Sequence, residues 1–221
     1  MRLVLILIAV ILVTSSPNRA WAQTTYVSNL GDATTDGEGE LVSELWVSDG
    51  FATGTSALGY NLNSVQVLLD GVYQNPSGFS ISLYSQNGTQ PGSSLGTLSG
   101  PSNPSVAGTY TYTASGITLT PSTDYWLVLA DTSPELSGYL WDVTSSTSYT
   151  SSDGWSINTA RSYSSGDQGT SWANIDSVIG EFAVNATVVP EPQSFALAAV
   201  ALAALFGRRR KASSVAPDKI A

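Results

Sequence analysis

The chain has 221 residues, a net charge of −9 and neither cysteine nor histidine. These absences exclude disulfides, thiol nucleophiles, imidazole general bases and the zinc sites that are built from cysteine or histidine. The length fits one domain with targeting segments at its ends.

Residues 1–22 have the pattern of a secretory signal peptide. Met1 and Arg2 precede an uninterrupted apolar run at positions 3–13, and a polar stretch then leads to Ala20-Trp21-Ala22. A charged start, a short apolar run and an A-x-A site predict export with cleavage after Ala22. The alternative is a buried N-terminal helix, which the lack of a polar face disfavours.

The segment between the two ends, residues 23–187, is predicted to be the folded body and is strongly acidic. Arg161 is its single basic residue against fifteen acidic ones, which gives the body a net charge of −14. Nucleic acid and anionic lipid would be repelled, so neither is expected as a partner. Such acidity favours solubility and the binding of divalent cations.

Short runs of β-branched and aromatic residues predict an all-β body. At positions 79–84, for example, Phe79, Ile81 and Leu83 point to one side and Ser80, Ser82 and Tyr84 to the other. The predicted strands are 25–30, 45–52, 62–69, 79–84, 109–114, 125–130, 139–144 and 179–184. Turns are predicted at Asp70-Gly71, Asn87-Gly88, Pro91-Gly92, Gly100-Pro101 and Asp153-Gly154.

Eight or more short strands divided in this way favour a jelly-roll-like antiparallel β-sandwich. A closed barrel is the alternative. The serine-rich segments 145–152 and 162–171 are expected to be long, partly ordered loops, because their interspersed tyrosines and tryptophans argue against disorder. An N-terminal signal helix and a C-terminal hydrophobic helix are expected to flank the sandwich.

The segment 31–40 concentrates carboxylates among glycines, at Asp32, Asp36, Glu38 and Glu40. Hard oxygen ligands at this spacing suit calcium, which is the one cofactor that the sequence suggests. In the register of an EF-hand loop, however, the twelfth position is Ser43 and not the usual glutamate. A solvated surface loop is therefore the competing interpretation.

The tryptophans of the body divide into a core candidate and three binding candidates. Trp126 lies inside an apolar run and is predicted to be part of the core. Trp141, Trp155 and Trp172 stand beside polar residues, where an indole face can stack on a sugar ring. Packing beneath a loop is the alternative for all three.

No catalytic residue is predicted. Two carboxylates suffice for glycoside hydrolysis, but a body with fifteen acidic residues contains many possible pairs, so the presence of a pair does not indicate an active site.

The C-terminal segment combines three features in a fixed order. Pro190-Glu191-Pro192 is followed by an apolar stretch at 194–206 and then by four cations at 208–211. A helix of thirteen residues spans about 20 Å, which is short of the roughly 30 Å hydrocarbon core. The cations favour a cytoplasmic side for the final residues 212–221 and an external side for everything before Pro190.

This tail closely resembles the PEP-CTERM sorting signal of Gram-negative bacteria, in Val189-Pro190-Glu191-Pro192, the apolar stretch and Arg208, Arg209, Arg210 and Lys211. The resemblance implies that exosortase, a membrane transpeptidase, recognises the tail and cleaves beside it. The inner membrane would then hold the protein only transiently. The product would be released or joined to the cell envelope or to exopolysaccharide. The ten residues after the cations depart from the usual pattern.

The body resembles the choice-of-anchor R domain, a module found with various surface-anchoring signals. The resemblance rests on residues 83–88, 91–96, 125–129 and 148–155. It implies a secreted all-β module. We therefore expect a structural or interaction protein of the cell surface or extracellular matrix, and not an enzyme. The alternatives are a carbohydrate-binding module for exopolysaccharide and a secreted glycoside hydrolase.

Overall fold

A computed structural model of the chain describes residues 23–32, 38–42, 45–74, 76–132, 137–175 and 178–190. The predicted signal peptide, the apolar stretch 194–206 and the two predicted flanking helices lie outside these ranges. The chain divides into two units, Met1–Val188 and Val189–Ala221. No helix long and apolar enough to cross a membrane occurs within the described residues.

The described part of the first unit is all-β, as the alternation of apolar residues predicted. It contains fifteen strands: β1 (Thr24–Ser28), β2 (Glu38–Val42), β3 (Trp46–Ala52), β4 (Tyr60–Tyr73), β5 (Ser80–Asn87), β6 (Gln90–Thr97), β7 (Gly108–Thr113), β8 (Thr118–Leu119), β9 (Asp124–Ala130), β10 (Gly138–Thr144), β11 (Thr150–Ser151), β12 (Ser156–Ser165), β13 (Ala173–Asn174), β14 (Ile179–Gly180) and β15 (Phe182–Val188).

The strands form two antiparallel sheets. Sheet A has nine described strands in the order β11-β1-β15-β4-β10-β14, with β2 also paired to β10 and with β7 and β8 paired to β4. Sheet B has six described strands in the order β13-β12-β3-β9-β5-β6. One buried cluster joins the sheets, with Val65 and Val184 from sheet A and Ile81 and Leu127 from sheet B. The two-sheet architecture is confirmed, whereas the jelly-roll connectivity stays a prediction.

Strand β15 occupies a central place in sheet A. It pairs with β1 on one side and with β4 on the other, and its last residue, Val188, lies opposite Tyr60. Thr24, at the start of β1, lies opposite Ala186. The two ends of the body therefore leave sheet A at the same end, which we call the terminal end.

Two of the predicted turns are wrong. Asp70-Gly71 lies inside β4, where Asp70 is the extra residue of a β-bulge opposite Leu140 and Trp141. Pro91-Gly92 lies inside β6, an edge strand whose free side tolerates a proline without an N–H. The turn at Asn87-Gly88 is confirmed one position later, because Gly88 and Thr89 form a two-residue hairpin loop and Gly88 has a φ of +64°.

The loop predicted for 162–171 is wrong in its first part. Residues 162–165 continue β12, the ten-residue strand that pairs with β3 and β13. The predicted strand 179–184 is two strands, because Glu181 separates β14 from β15. In both places the pairing partners, and not the local sequence, decide the structure.

Candidate functional site

An aromatic layer covers the outer face of sheet B. In β3, alternation directs Val47, Asp49 and Phe51 between the sheets and Trp46 and Ser48 outward. Residues of β9, β12 and β5 that lie opposite an outward residue of the paired strand also point outward. The outer aromatic layer, as we call it, consists of Trp46 on β3, Tyr84 on β5, Trp126 on β9, Tyr163 on β12 and Trp172 before β13.

The layer has a closed floor and a partly open rim. Trp126 and Tyr163 form the floor, with 1% and 5% of their surfaces exposed and their rings edge to face at 5.2 Å. Trp46, Tyr84 and Trp172 are half-buried. Tyr84 and Trp172 meet edge to face at 6.4 Å. The rim therefore offers aromatic surface to solvent on the outer face of sheet B.

Gly169 brings the loop before Trp172 against the rim. A Cβ atom at this position would lie 3.0 Å from the Trp46 ring and 3.6 Å from the Trp172 ring. The residue has a φ of +83°, which also favours glycine. A side chain here would push the two indoles apart.

The carboxylate of Asp167 holds this loop in shape. Its Oδ1 accepts hydrogen bonds from the Ser171 N–H and the Ser165 hydroxyl, both at 2.8 Å, and its Oδ2 accepts one from the Ser171 hydroxyl at 2.6 Å. The Gly169 N–H donates to the Ser165 Oγ at 2.7 Å. Hydrogen bonds from Ser171, with a further contribution from Ser165, lower the pKa of Asp167 to about 2. The loop is thus fixed although Asp167 is exposed.

The structure separates the three predicted sugar-binding tryptophans. Trp141 and Trp155 are core residues with 1% and 2% of their surfaces exposed, so neither presents a ring face for stacking on a sugar. The Trp141 Nε1 donates to the Glu181 carbonyl at 3.0 Å, and Trp155 stacks on Tyr26 at 4.9 Å. Only Trp172 of the three belongs to the half-buried rim.

Sequence reasoning missed the aromatic partners of Trp172. Trp46 begins a strand in which alternate residues point outward, and sequence alternation places Tyr84 on the side of its strand opposite Leu83. Both signals were available, but nothing local shows that β3 and β5 lie beside β9 in one sheet. The predicted burial of Trp126 is confirmed, although this residue lies on the outer face of sheet B.

A buried acid connects the two sheets. Asp49 on β3 is 3% exposed; its Oδ2 accepts a hydrogen bond from the Gly180 N–H at 2.9 Å, and its Oδ1 contacts the Ser162 hydroxyl. The same hydroxyl lies 2.6 Å from the Val178 carbonyl oxygen. Burial raises the pKa of Asp49 to about 7, against the opposing effect of the hydrogen bonds from Ser162 and Gly180.

The hydrogen-bond geometry of Asp49 agrees with a protonated carboxyl. The Ser162 hydroxyl has one proton but two acceptors, the Asp49 Oδ1 and the Val178 carbonyl. A protonated Asp49 donates to the Ser162 hydroxyl, which then donates to the Val178 carbonyl. Each of these two oxygens thus accepts one hydrogen bond. An ionised Asp49 leaves one of these two acceptors without a proton.

A second acidic group surrounds Glu181, whose side chain is fully buried. Its Oε2 accepts a hydrogen bond from the Gly31 N–H at 2.8 Å. Burial raises the pKa of Glu181, and the nearby carboxylates of Asp142 and Asp32 raise it further. The pKa of Asp142 is also raised, by burial first and then by Asp70. Glu181 thus contacts the segment that follows β1, and Asp49 on β3 contacts β14.

The predicted calcium ligands are only partly described. Asp32 is placed beside Glu181, whereas Asp36 and the side chains of Glu38 and Glu40 lie outside the described part of the chain. Within the described residues, no three acidic side chains form a group that could hold a metal ion. Calcium binding stays a prediction.

A polar cleft of about 420 Å³ lies at the terminal end of the body. Its described lining is Thr55, Ser56, Tyr60, Asp153, Gly154 and Val188. Asp153 is the one carboxylate in that lining, whereas glycoside hydrolysis normally uses two. Tyr60 is only 1% exposed, so its ring does not offer a stacking surface.

Residues 188–211 match the PEP-CTERM protein-sorting motif. The matched segment begins at Val188, which is also the last residue of β15. No curated protein matches the chain. The motif implies an exported protein that exosortase sorts to the cell surface or the extracellular space.

Proposed function

We propose that the chain is a structural or interaction protein of the cell surface or extracellular matrix, and that its β-body has no enzymatic activity. The observation that carries the proposal is the direct succession of a folded body and a sorting motif, which share Val188. The body would be the displayed part, and the tail would be the part that exosortase reads.

The position of β15 supports a defined outcome of processing. This strand is paired with β1 up to Ala186 and with β4 up to Val188, and Pro190 to Pro192 follow after one further residue. Proline lacks the N–H of a ladder and favours an extended backbone, which suits the entry of this segment into a protease. Cleavage beside these prolines would leave β15 complete.

We also propose that the body is a jelly-roll module of the choice-of-anchor R type. The resemblance segments 83–88, 91–96 and 125–129 fall on β5, β6 and β9, which are adjacent in sheet B. These three segments are thus neighbours in space, whereas the fourth, 148–155, includes β11 of sheet A. Comparing the strand order of a choice-of-anchor R protein with the order found here would test this assignment.

Mapping both termini of the protein recovered from the producing cells tests the proposed function. We expect the surface product to begin at Gln23 and to lack residues 196–208. Replacing Pro190, Glu191 and Pro192 by alanine should leave a larger, membrane-bound form that keeps those residues. Neutral replacements of Arg208 to Lys211 should instead weaken retention before processing.

A matched control is the substitution of Lys219 by alanine, which changes a cation beyond the matched motif. This variant should be processed like the wild type. Peptides from 196–208 that remain covalently joined to the surface-exposed body of the wild type would show a permanent C-terminal anchor instead of a sorting signal.

A further inference from the structure

We propose that the outer aromatic layer of sheet B binds a neutral polysaccharide. This inference goes beyond display at the surface, which needs no ligand. The observation behind it is the half-buried rim of Trp46, Tyr84 and Trp172, which lies on the outer face of sheet B and outside the buried core cluster.

The rim has the chemistry that sugar recognition uses. A pyranose ring presents a face of C–H groups, which packs against an aromatic ring, while its hydroxyls bond to polar groups at the edge. Three aromatic side chains from β3, β5 and the loop before β13 supply such surfaces here. Their number favours several consecutive sugar units over a single monosaccharide.

Hydroxyl groups continue the same face beyond Tyr84. Ser82 lies two residues before Tyr84 on β5, and its Oγ is 2.8 Å from the Thr97 Oγ1 on β6. Exposed Ser94 lies directly opposite Tyr84. Hydroxyls both donate and accept hydrogen bonds, as sugar hydroxyls do, so this strip suits the polar edges of a polysaccharide chain.

The charge of the body selects the class of polymer. Arg161 is the one cation of residues 23–187, and the net charge of this segment is −14. A uronate-rich or sulfated polymer would be repelled over the whole surface. A neutral polymer is not repelled by this charge.

The site is also preorganised. Asp167 fixes the loop through bonds to Ser165 and Ser171, and Gly169 fits between the indoles of Trp46 and Trp172. A ligand therefore does not have to order this loop on binding, which leaves more of the contact energy for affinity.

The indole N–H groups of the rim are available as further donors. Those of Trp46 and Trp172 are covered and have no hydrogen-bond partner in the described part of the chain. A sugar oxygen that reached either N–H would satisfy a donor that the described part of the chain leaves unmatched.

Titration calorimetry on the processed protein recovered from cells tests the proposal. The neutral probes are cello-oligosaccharides, dextran and the neutral fraction of the producing cell's own exopolysaccharide, and alginate is the anionic comparator. We expect saturable binding of at least one neutral probe and none of alginate. Trp172→Ala should weaken that binding at least about fivefold, because it removes a stacking surface.

The control variant is Tyr110→Ala, which removes a half-buried aromatic ring from β7 in sheet A. It should bind like the wild type. Tyr84→Ala and Trp172→Phe keep the test decisive if Trp172→Ala does not fold: the first should weaken binding, and the second should retain most of it. Circular dichroism of each variant verifies the fold.

Three results would overturn the inference: no binding of any neutral probe, a preference for alginate, or equal effects of the changes at Trp172 and Tyr110. None of these results affects the conclusion on exosortase sorting, because the two termini of the processed wild-type protein are determined in a separate experiment. A processed protein that binds no glycan would thus refute the binding face and leave the proposed function intact.

Discussion

Two aromatic clusters of this protein differ in whether they are closed. Tyr26, Phe51, Tyr60 and Trp155 form the inner cluster, between the sheets, with 1–5% of each residue exposed and ring centroids 4.9–5.7 Å apart. The outer layer has a similar floor but leaves its rim half open. Trp155 also lacks a partner for its indole N–H, so an unmatched donor does not by itself distinguish the two. The two clusters are distinguished by how much of their ring surface is exposed to solvent.

This difference assigns the two clusters different tasks. Closed aromatic contacts exclude water on every side and therefore contribute mainly to stability. A half-open rim gains less from burial and keeps surface available for a partner. The comparison predicts that substitutions inside should affect unfolding most, whereas substitutions outside should affect binding most.

The largest effect is expected for Trp155→Ala. Loss of a fully buried indole should destabilise the body by about 3–5 kcal/mol, because the stacked neighbours Tyr26 and Phe51 cannot close the cavity. Trp172→Ala should cost less than half as much, since its ring is already partly hydrated. Equilibrium denaturation by urea measures both values. Equal losses for the two variants would contradict the distinction between a closed cluster and an open rim.

The next effect concerns the pH dependence of stability and involves Asp49. The pKa of this carboxyl is about 7 in the folded protein and about 4 in an unfolded chain, so the folded state binds more protons between these values. Its contribution to stability is complete below pH 4 and is lost as the pH rises through 7. The free energy of unfolding should therefore fall by up to about 1.4 kcal/mol per pH unit across this window.

Asp49→Asn provides the matched test. An asparagine amide can donate to Ser162 as the protonated acid does, and its oxygen can still accept from the Gly180 N–H. We expect this variant to show a flatter profile and to be more stable than the wild type above pH 8. Unfolding curves from pH 4 to 9 decide the point, and an unchanged slope would show that Asp49 does not hold the extra proton. Asp142 and Glu181 should preserve part of the slope, because their pKa values are raised as well.

Much of the fold was predictable because strand alternation is a local signal. Leu62 to Leu69 and Tyr125 to Ala130 read as strands from their residues alone, and both lie within observed strands. Gly71 and Gly92 misled the turn predictions, since a glycine also fits a bulge or an edge strand. None of the predicted strands covers β12, whose last residues, 162–165, are mostly serine and become a strand by pairing with β3.

The candidate site was less predictable than the fold. A tryptophan beside polar residues in sequence can point to either side of a sheet, as Trp155 and Trp172 demonstrate. Which aromatic residues meet depends on strand order, and the order β12-β3-β9-β5 brings together residues from 46 to 163. Asp49 gave no local signal either, because its partners Ser162 and Gly180 are more than a hundred positions away.

The smallest effect on global stability is expected at Asp167, which contrasts with Asp49. Both carboxyl groups contact a serine hydroxyl, but Asp167 is exposed and its hydrogen bonds lower its pKa to about 2. A lowered pKa contributes stability that is present above the ordinary carboxyl pKa of about 4 and is lost as the pH falls through about 2. The loop should therefore stay ordered throughout the neutral range.

Asp167→Asn should loosen this loop without changing the unfolding midpoint of the body. The NH2 group of asparagine replaces one of the two accepting oxygens. The three bonds donated by the Ser165 hydroxyl, the Ser171 N–H and the Ser171 hydroxyl therefore cannot all persist. Hydrogen exchange at the Ser171 amide should become faster, and the environment of Trp172 should change in its fluorescence. Asp124→Asn, at an exposed carboxylate that begins β9, should alter neither signal. If Ser171 stays protected in Asp167→Asn, the carboxylate does not organise the rim, and the preorganisation that we assign to the open cluster must come from Gly169 and the two indoles instead.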